Sequence, residues 1–243
     1  MTRYVLFCVL AFPAAVSAQA RPAARVSINL GAESAAGTFT STTTAPVYQE
    51  SSTVNASYSL PAGLFVDGGV VVRLGRRGFG VGTAVSWFTR SQAASVTGTI
   101  PHPFLFNTPR ALSGTTSPLA RGETAVHIQA AFVSTSKRRD VVIAGGPSFF
   151  HVSQELVGDA TYAEAYPYDT TTFTGATVSK ASASKLGFHA GVDVGMKLSK
   201  RFGVGGAVRF SRAMLNLPLA RTTSGVNVDA GGLQAGGGVR LFF

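Results

Sequence analysis

From residue 24 onward, apolar and polar side chains alternate with a period of two, the pattern of an extended strand whose two faces meet different surroundings. The stretch 186–198 shows it most clearly. Leu186, Phe188, Ala190, Val192, Val194, Met196 and Leu198 fall on one face, and Gly187, His189, Gly191, Asp193, Gly195 and Lys197 on the other. The same alternation runs from Val26 to Leu30, Leu64 to Leu74, Phe79 to Trp87, Thr124 to Phe132, Phe202 to Phe210 and Leu233 to Phe243. A further strand is expected over 140–153, where Gly145, Gly146 and Pro147 leave the phase open. Strands of about 11 residues, rising roughly 3.3 Å per residue at a tilt near 45°, stand about 25 Å tall, the height of a membrane's apolar band. Their connections alternate in length. Gly75-Arg76-Arg77-Gly78, Ser136-Lys137-Arg138-Arg139 and Ser199-Lys200-Arg201 are short, whereas 41–63, 91–121, 154–185 and 215–228 are long. The pattern predicts an all-β fold, an eight-stranded antiparallel up-and-down transmembrane β-barrel with short turns in the periplasm and long loops outside the cell.

Composition supports lipid rather than water around the barrel. Only 13% of the residues are charged, 28 are glycine and the mean hydropathy is +0.24. A soluble sandwich would carry its charge on the outer face, but here the polar rows are mostly Gly, Ala and Ser. The N-terminus reads as an export signal over 1–20: Arg3, an apolar run from Tyr4 to Val16 broken by Pro13, then small residues up to Ala18 or Ala20. The barrel domain then covers 21–243. The single cysteine, Cys8, lies in that leader, so neither a disulfide nor a thiol nucleophile is expected in the exported chain. The net charge of +10 invites a nucleic-acid reading, but the cations sit in short turns rather than on a stripe. Outer-membrane lipids are the expected partners instead, and the barrel is expected to be monomeric.

The inward rows carry charges of both signs. Glu33, Asp67 and Asp193 share the inside with Arg73, Lys197, Arg209 and Arg240, together with His127, His189, Asn29, Gln129 and Gln234. Buried charge is tolerable only when paired. The expectation is therefore a plugged lumen, with a narrow passive channel for small solutes as the alternative. No phosphate loop, dinucleotide fingerprint or Cys/His metal spacing occurs, so no cofactor and no metal is expected.

At the C-terminus, Val239, Leu241 and Phe243 place apolar residues at alternate positions ending on an aromatic. With the strand pattern, this resembles the porin-like outer-membrane β-barrel domain family, whose small members are similar to the OmpA and OmpX barrels. The resemblance implies insertion by the outer-membrane assembly machinery, location in the bacterial outer membrane and no attached activity. The expected role is structural or a surface interaction. The loop segment 100–110, with Pro101, Pro103 and Pro109 around Phe104 and Phe106, is a contact candidate, as are Tyr166 and Tyr168; a lid packed over the barrel mouth is the favoured arrangement. Trp87 and Phe88 suit an aromatic girdle. His151 and Ser153, spaced by two, loosely resemble the His-x-Ser arrangement of lipid A deacylases, with Glu155 or Glu164 to orient the histidine. That resemblance implies a lipid-facing hydrolase as a second alternative, although Gln154 stands where that family has Asn.

Overall fold

A computed structural model describes residues 24–35, 37–75, 77–218 and 225–243; the expected leader and Arg76 lie outside these. In chain order the strands are β1 (Ala24–Ala35), β2 (Thr38–Val47), β3 (Glu50–Ser59), β4 (Gly63–Arg73), β5 (Phe79–Gln92) and β6 (Ala94–Pro101), followed by β7 (Pro109–Thr115), β8 (Leu119–Thr135), β9 (Arg139–Glu164), β10 (Thr171–Lys197), β11 (Phe202–Leu217) and β12 (Val226–Phe242). Eight of them close in the order β1-β12-β11-β10-β9-β8-β5-β4, every neighbour antiparallel. β1 completes the ring. It pairs with β12 from Arg25↔Phe242 to Ala35↔Gly232 and with β4 from Ala24↔Val72 to Glu33↔Gly63. Closure leaves no open edge, the condition for a sheet to stand in hydrocarbon.

The outside of the lower barrel is a continuous apolar belt. Ile28, Val66, Val81, Ile128, Ile143, Val194 and Val208 all turn outward and stay exposed. The alternation also fixes β9, whose phase the sequence left open: Asp140, Val142, Ser148 and Phe150 are buried, while Ile143 and Phe149 face out. Trp87 takes its place in the belt. Phe88 does not: it is one residue out of phase, buried, and lies beneath the Arg90 guanidinium, 5.6 Å from the ring centroid.

Toward the long-loop end the polarity of the strands inverts. The outward positions of β9 change from Ile143 and Phe149 to His151, Ser153 and Glu155, while the inward ones change from Asp140 and Ser148 to Val152 and Leu156. Above Phe188, β10 parts from β11 and the β9–β10 hairpin continues as far as Glu164↔Thr171. Segments 41–63 and 91–121, expected to be loops, instead contain the hairpins β2–β3 and β6–β7, which join as the sheet β2-β3-β6-β7. This sheet packs on the upper strands over an apolar core that includes Val54, Tyr58, Val96, Leu112, Leu156 and Leu217. Much of 154–185 is likewise strand, and β11 and β12 run past the belt. The result is a head with its apolar side inside, set on a barrel with its apolar side outside.

Val54 belongs to the head alone and is 4% exposed. Val54→Asp places a charge in that core without touching the ring. Limited proteolysis should cut the variant within 38–62 or 94–116, while the unboiled protein keeps the fast gel mobility of a closed barrel; loss of the folded band would show that ring and head do not separate in this way.

Candidate functional site

The barrel interior is built from tiers of paired charge. Nearest the short turns, Arg25 Nη1 donates to Asp140 Oδ2 at 2.7 Å, and its other arm reaches Asp193, which also accepts from Arg240 Nε at 3.0 Å. Arg240 is fully buried. In the middle tier Asp67 accepts from Asn29 Nδ2 at 2.6 Å and pairs with Arg209. Beside it, His127 bonds Ser86 at 3.0 Å and Ser148 at 2.8 Å, and Ser148 continues to His189 Nδ1 at 2.9 Å. In the upper tier Gln234 Nε2 donates to Glu33 Oε2 at 2.8 Å, Arg121 Nε donates to Glu123 Oε1 at 2.6 Å, and the Gly231 amide donates to the other Glu123 oxygen at 2.9 Å. A bare ion here would cost several kcal/mol, on the order of what one good partner restores.

Nine of the residues expected in this network, Asn29, Glu33, Asp67, His127, His189, Asp193, Arg209, Gln234 and Arg240, point inside and make these bonds. Gln129 lines the cavity described below. Arg73 and Lys197 need correction. Both sit where the strands meet the turns: Arg73 Nε donates to the Gly75 carbonyl at 3.3 Å, and the Lys197 ammonium lies 4.9 Å from the Phe242 ring centroid. Arg25, Asp140, Arg121 and Glu123 were missed. Each is in phase with its strand's inward row, but Arg25 and Glu123 stand one residue before the stretches that alternate cleanly, Arg121 falls in a segment expected to be a loop, and Asp140 begins the strand of open phase.

A cavity of about 50 Å³ lies among Asn29, Gln129, His189, Asp193 and Arg209. That is room for a few waters, a water centre needing roughly 10–15 Å³. An apolar cluster of Ala125, Phe150, Val152, Ala213, Leu215 and Ala230 packs at the level of the upper charge tier, Phe150 opposite Ala125 and Val152 opposite Glu123, and the core of the head follows farther along the strands.

At the far end of the head three hairpin tips converge. Arg110 donates to the carbonyls of Pro101 at 2.6 Å and Tyr168 at 3.0 Å and pairs with Glu164, which accepts from the Tyr48 hydroxyl at 2.9 Å. That carboxylate raises the Tyr48 phenol above its ordinary pKa. His102 Nδ1 accepts from the amides of Phe104 and Leu105, both at 3.1 Å, and fixes the β6–β7 tip. Phe104, Phe106 and Tyr166 are 73%, 72% and 87% exposed, and Tyr168 is half-buried with its ring edge-on to Phe104. The expected lid is thus not formed by these aromatics: the second sheet closes the barrel, and the rings stand on its outer tip.

His151 and Ser153 face outward near the upper edge of the belt. They are not coupled to each other. His151 Nδ1 bonds Ser184 Oγ on the neighbouring strand at 2.9 Å. Glu155 accepts from the Ala120 amide at 2.7 Å and Glu164 holds Arg110, so both carboxylates proposed to orient the histidine are engaged elsewhere.

No known protein family matches the chain by sequence, and no curated protein matches it. Among solved structures, the outer membrane protease OmpT from Escherichia coli matches with a TM-score of 0.50 and 8% identity, over 91% of this chain and 97% of that one. The chain has the fold of the outer-membrane β-barrels. The outer membrane protein OprG from Pseudomonas aeruginosa aligns over 91% of this chain and 96% of its own, with TM-score 0.47 and 10% identity. Ail, the attachment invasion locus protein of Yersinia pestis, aligns over 91% and 99%, with TM-score 0.38 and 11% identity. For this outer-membrane-type barrel, the interior pairs define the most direct test. Asp67→Asn leaves Arg209 buried beside a neutral partner and should cost roughly 3–5 kcal/mol in urea unfolding followed by the folded gel band. Adding Arg209→Gln should restore part of that loss; simple additivity of the two would mean the residues do not pair.

Proposed function

We propose that this chain is a bacterial outer-membrane protein with a closed, plugged barrel, whose role is to hold an aromatic-tipped β-head outside the cell for contact with a partner there. The observation that carries this reading is the tip itself. Exposed Phe104, Leu105, Phe106 and Tyr166 are gathered on two of the three converging hairpin tips, which Arg110, Glu164 and His102 hold in place, so apolar surface is presented at little cost in ordering. The barrel supplies the anchor. Its apolar belt meets the membrane lipids, and Val239, Leu241 and Phe243 form an outward row on the last strand, where the assembly machinery would read them. Backbone bonds between Ala24 and Phe243, at 3.2 and 2.9 Å, tie that strand to the first and make a single chain sufficient for closure. A passive channel fits poorly with an interior filled by matched charges and an apolar cluster beside them.

Cells displaying the protein should be retained on wells coated with collagen, mucin or bare polystyrene more than cells with an empty vector. The triple substitution Phe104→Ser, Phe106→Ser, Tyr166→Ser should abolish the difference at equal surface display; retention that equals the vector control on every surface, or that survives the triple substitution, contradicts the reading. In planar bilayers the purified wild type should give no ionic current, and steady single-channel steps would favour the pore instead.

A further inference from the structure

We propose that two of the short turns at the periplasmic end together form a binding cleft for the phosphodiester of an anionic phospholipid. Ser136–Arg139 joins β8 to β9, and Ser199–Arg201 joins β10 to β11. The Lys197 amide donates to the Arg138 carbonyl at 2.9 Å and ties the two turns together. Between them lies a cleft of about 470 Å³ lined by Lys137, Arg138, Lys197 and Lys200, a volume within the roughly 300–1,000 Å³ of small-molecule sites. Each turn is fixed from within. Ser136 Oγ accepts from the Arg139 amide and Ser199 Oγ from the Phe202 amide, both at 3.0 Å. The cations are therefore carried on ordered hairpins, which lowers the entropy lost on binding.

Three observations narrow the ligand. The nearby carboxylates Asp140 and Asp193 are turned inward and held by Arg25 and Arg240, so among the described residues Lys137, Arg138 and Lys200 have no ion pair. Lys197 is steadied by the Phe242 ring rather than by an acid. The third is apolar: Leu198 lines the same cleft, is 58% exposed, and continues the outward row of Met196 and Val194. An inorganic anion would use the cations and leave that row bare. A lipid uses both, its phosphate between the two turns and its acyl chains along the belt, at the depth where the inner leaflet's headgroups begin.

The inference rests on the membrane reading, which the fast mobility of the unboiled protein reports separately in the same sample. Barrel folded in a nonionic maltoside detergent is titrated calorimetrically with short-chain phosphatidylglycerol, short-chain phosphatidylcholine and inorganic phosphate. Phosphatidylglycerol should bind about tenfold or more tighter than either of the others, weakening as salt is raised. Lys137→Ala, Arg138→Ala and Lys200→Ala together should lower that affinity roughly a hundredfold. Lys180→Ala with Lys185→Ala, on β10 far from the turns, should leave it unchanged. Equal affinity for the two lipids, salt-independent binding or undiminished binding by the triple variant overturns the proposal; phosphate binding as tightly as phosphatidylglycerol overturns the assignment to lipid.

Discussion

Hydrocarbon offers no water to an unpaired amide or an unpaired charge, and this chain answers both halves of that constraint. The amide half is met by closure: β1 pairs on one side with β12 and on the other with β4, leaving the ring without an edge. The charge half is met inside. Arg25 and Arg240 with Asp140 and Asp193, and Arg209 with Asp67, are matched across strands far apart in sequence. Each pair holds two strands in register as well as neutralising an ion, so the interior acts as both filling and fastening.

Above the lipid the constraint lifts, and the strands change character without ending. On β9 the row that carried Asp140 and Ser148 goes on to carry Val152 and Leu156, and the row that carried Ile143 and Phe149 goes on to carry His151 and Glu155. Water outside now favours the ordinary arrangement of a soluble sheet, and the second sheet supplies the other half of the core. The aromatic tip is carried on this rigid piece, which gives the exposed rings a fixed geometry. The two regimes meet at the level of the upper charge tier, where Ala125, Phe150, Val152, Ala213, Leu215 and Ala230 cluster beside the Arg121–Glu123 pair.

How much of this could be read from the chain follows from the same inversion. The lower barrel was legible because its outward row is uniformly oily: Leu186 to Leu198 admits one reading, and the ring of eight strands follows it. The head was not legible. In β2 and β3 the water-facing positions are Thr and Ser, such as Thr42, Thr44, Ser51 and Thr53, so these strands resemble a polar loop although Val54, Ala56 and Tyr58 alternate beneath. The interior partners were found where the alternation was clean, at Asp67, Asp193, Arg209 and Arg240, and missed at its ends, at Arg25, Arg121, Glu123 and Asp140. Arg73 and Lys197 share the inward parity, but parity carries no information on height, and both emerge at the turns. Phe104 and Phe106 were singled out by their surroundings of proline, though only the converging tips show that they face outward from the head.

The central claim is that one row of each barrel strand meets lipid while the next is sealed inside. Spin labels placed one at a time from Phe188 to Met196, in a chain whose one cysteine lies at residue 8, read this directly through collision with oxygen dissolved in the bilayer. In liposomes, labels at 188, 190, 192, 194 and 196 should meet oxygen freely and those at 189, 191, 193 and 195 should not, a swing with a period of two. A flat profile, or water-soluble nickel chelate reaching the even positions more readily than oxygen does, would contradict the account.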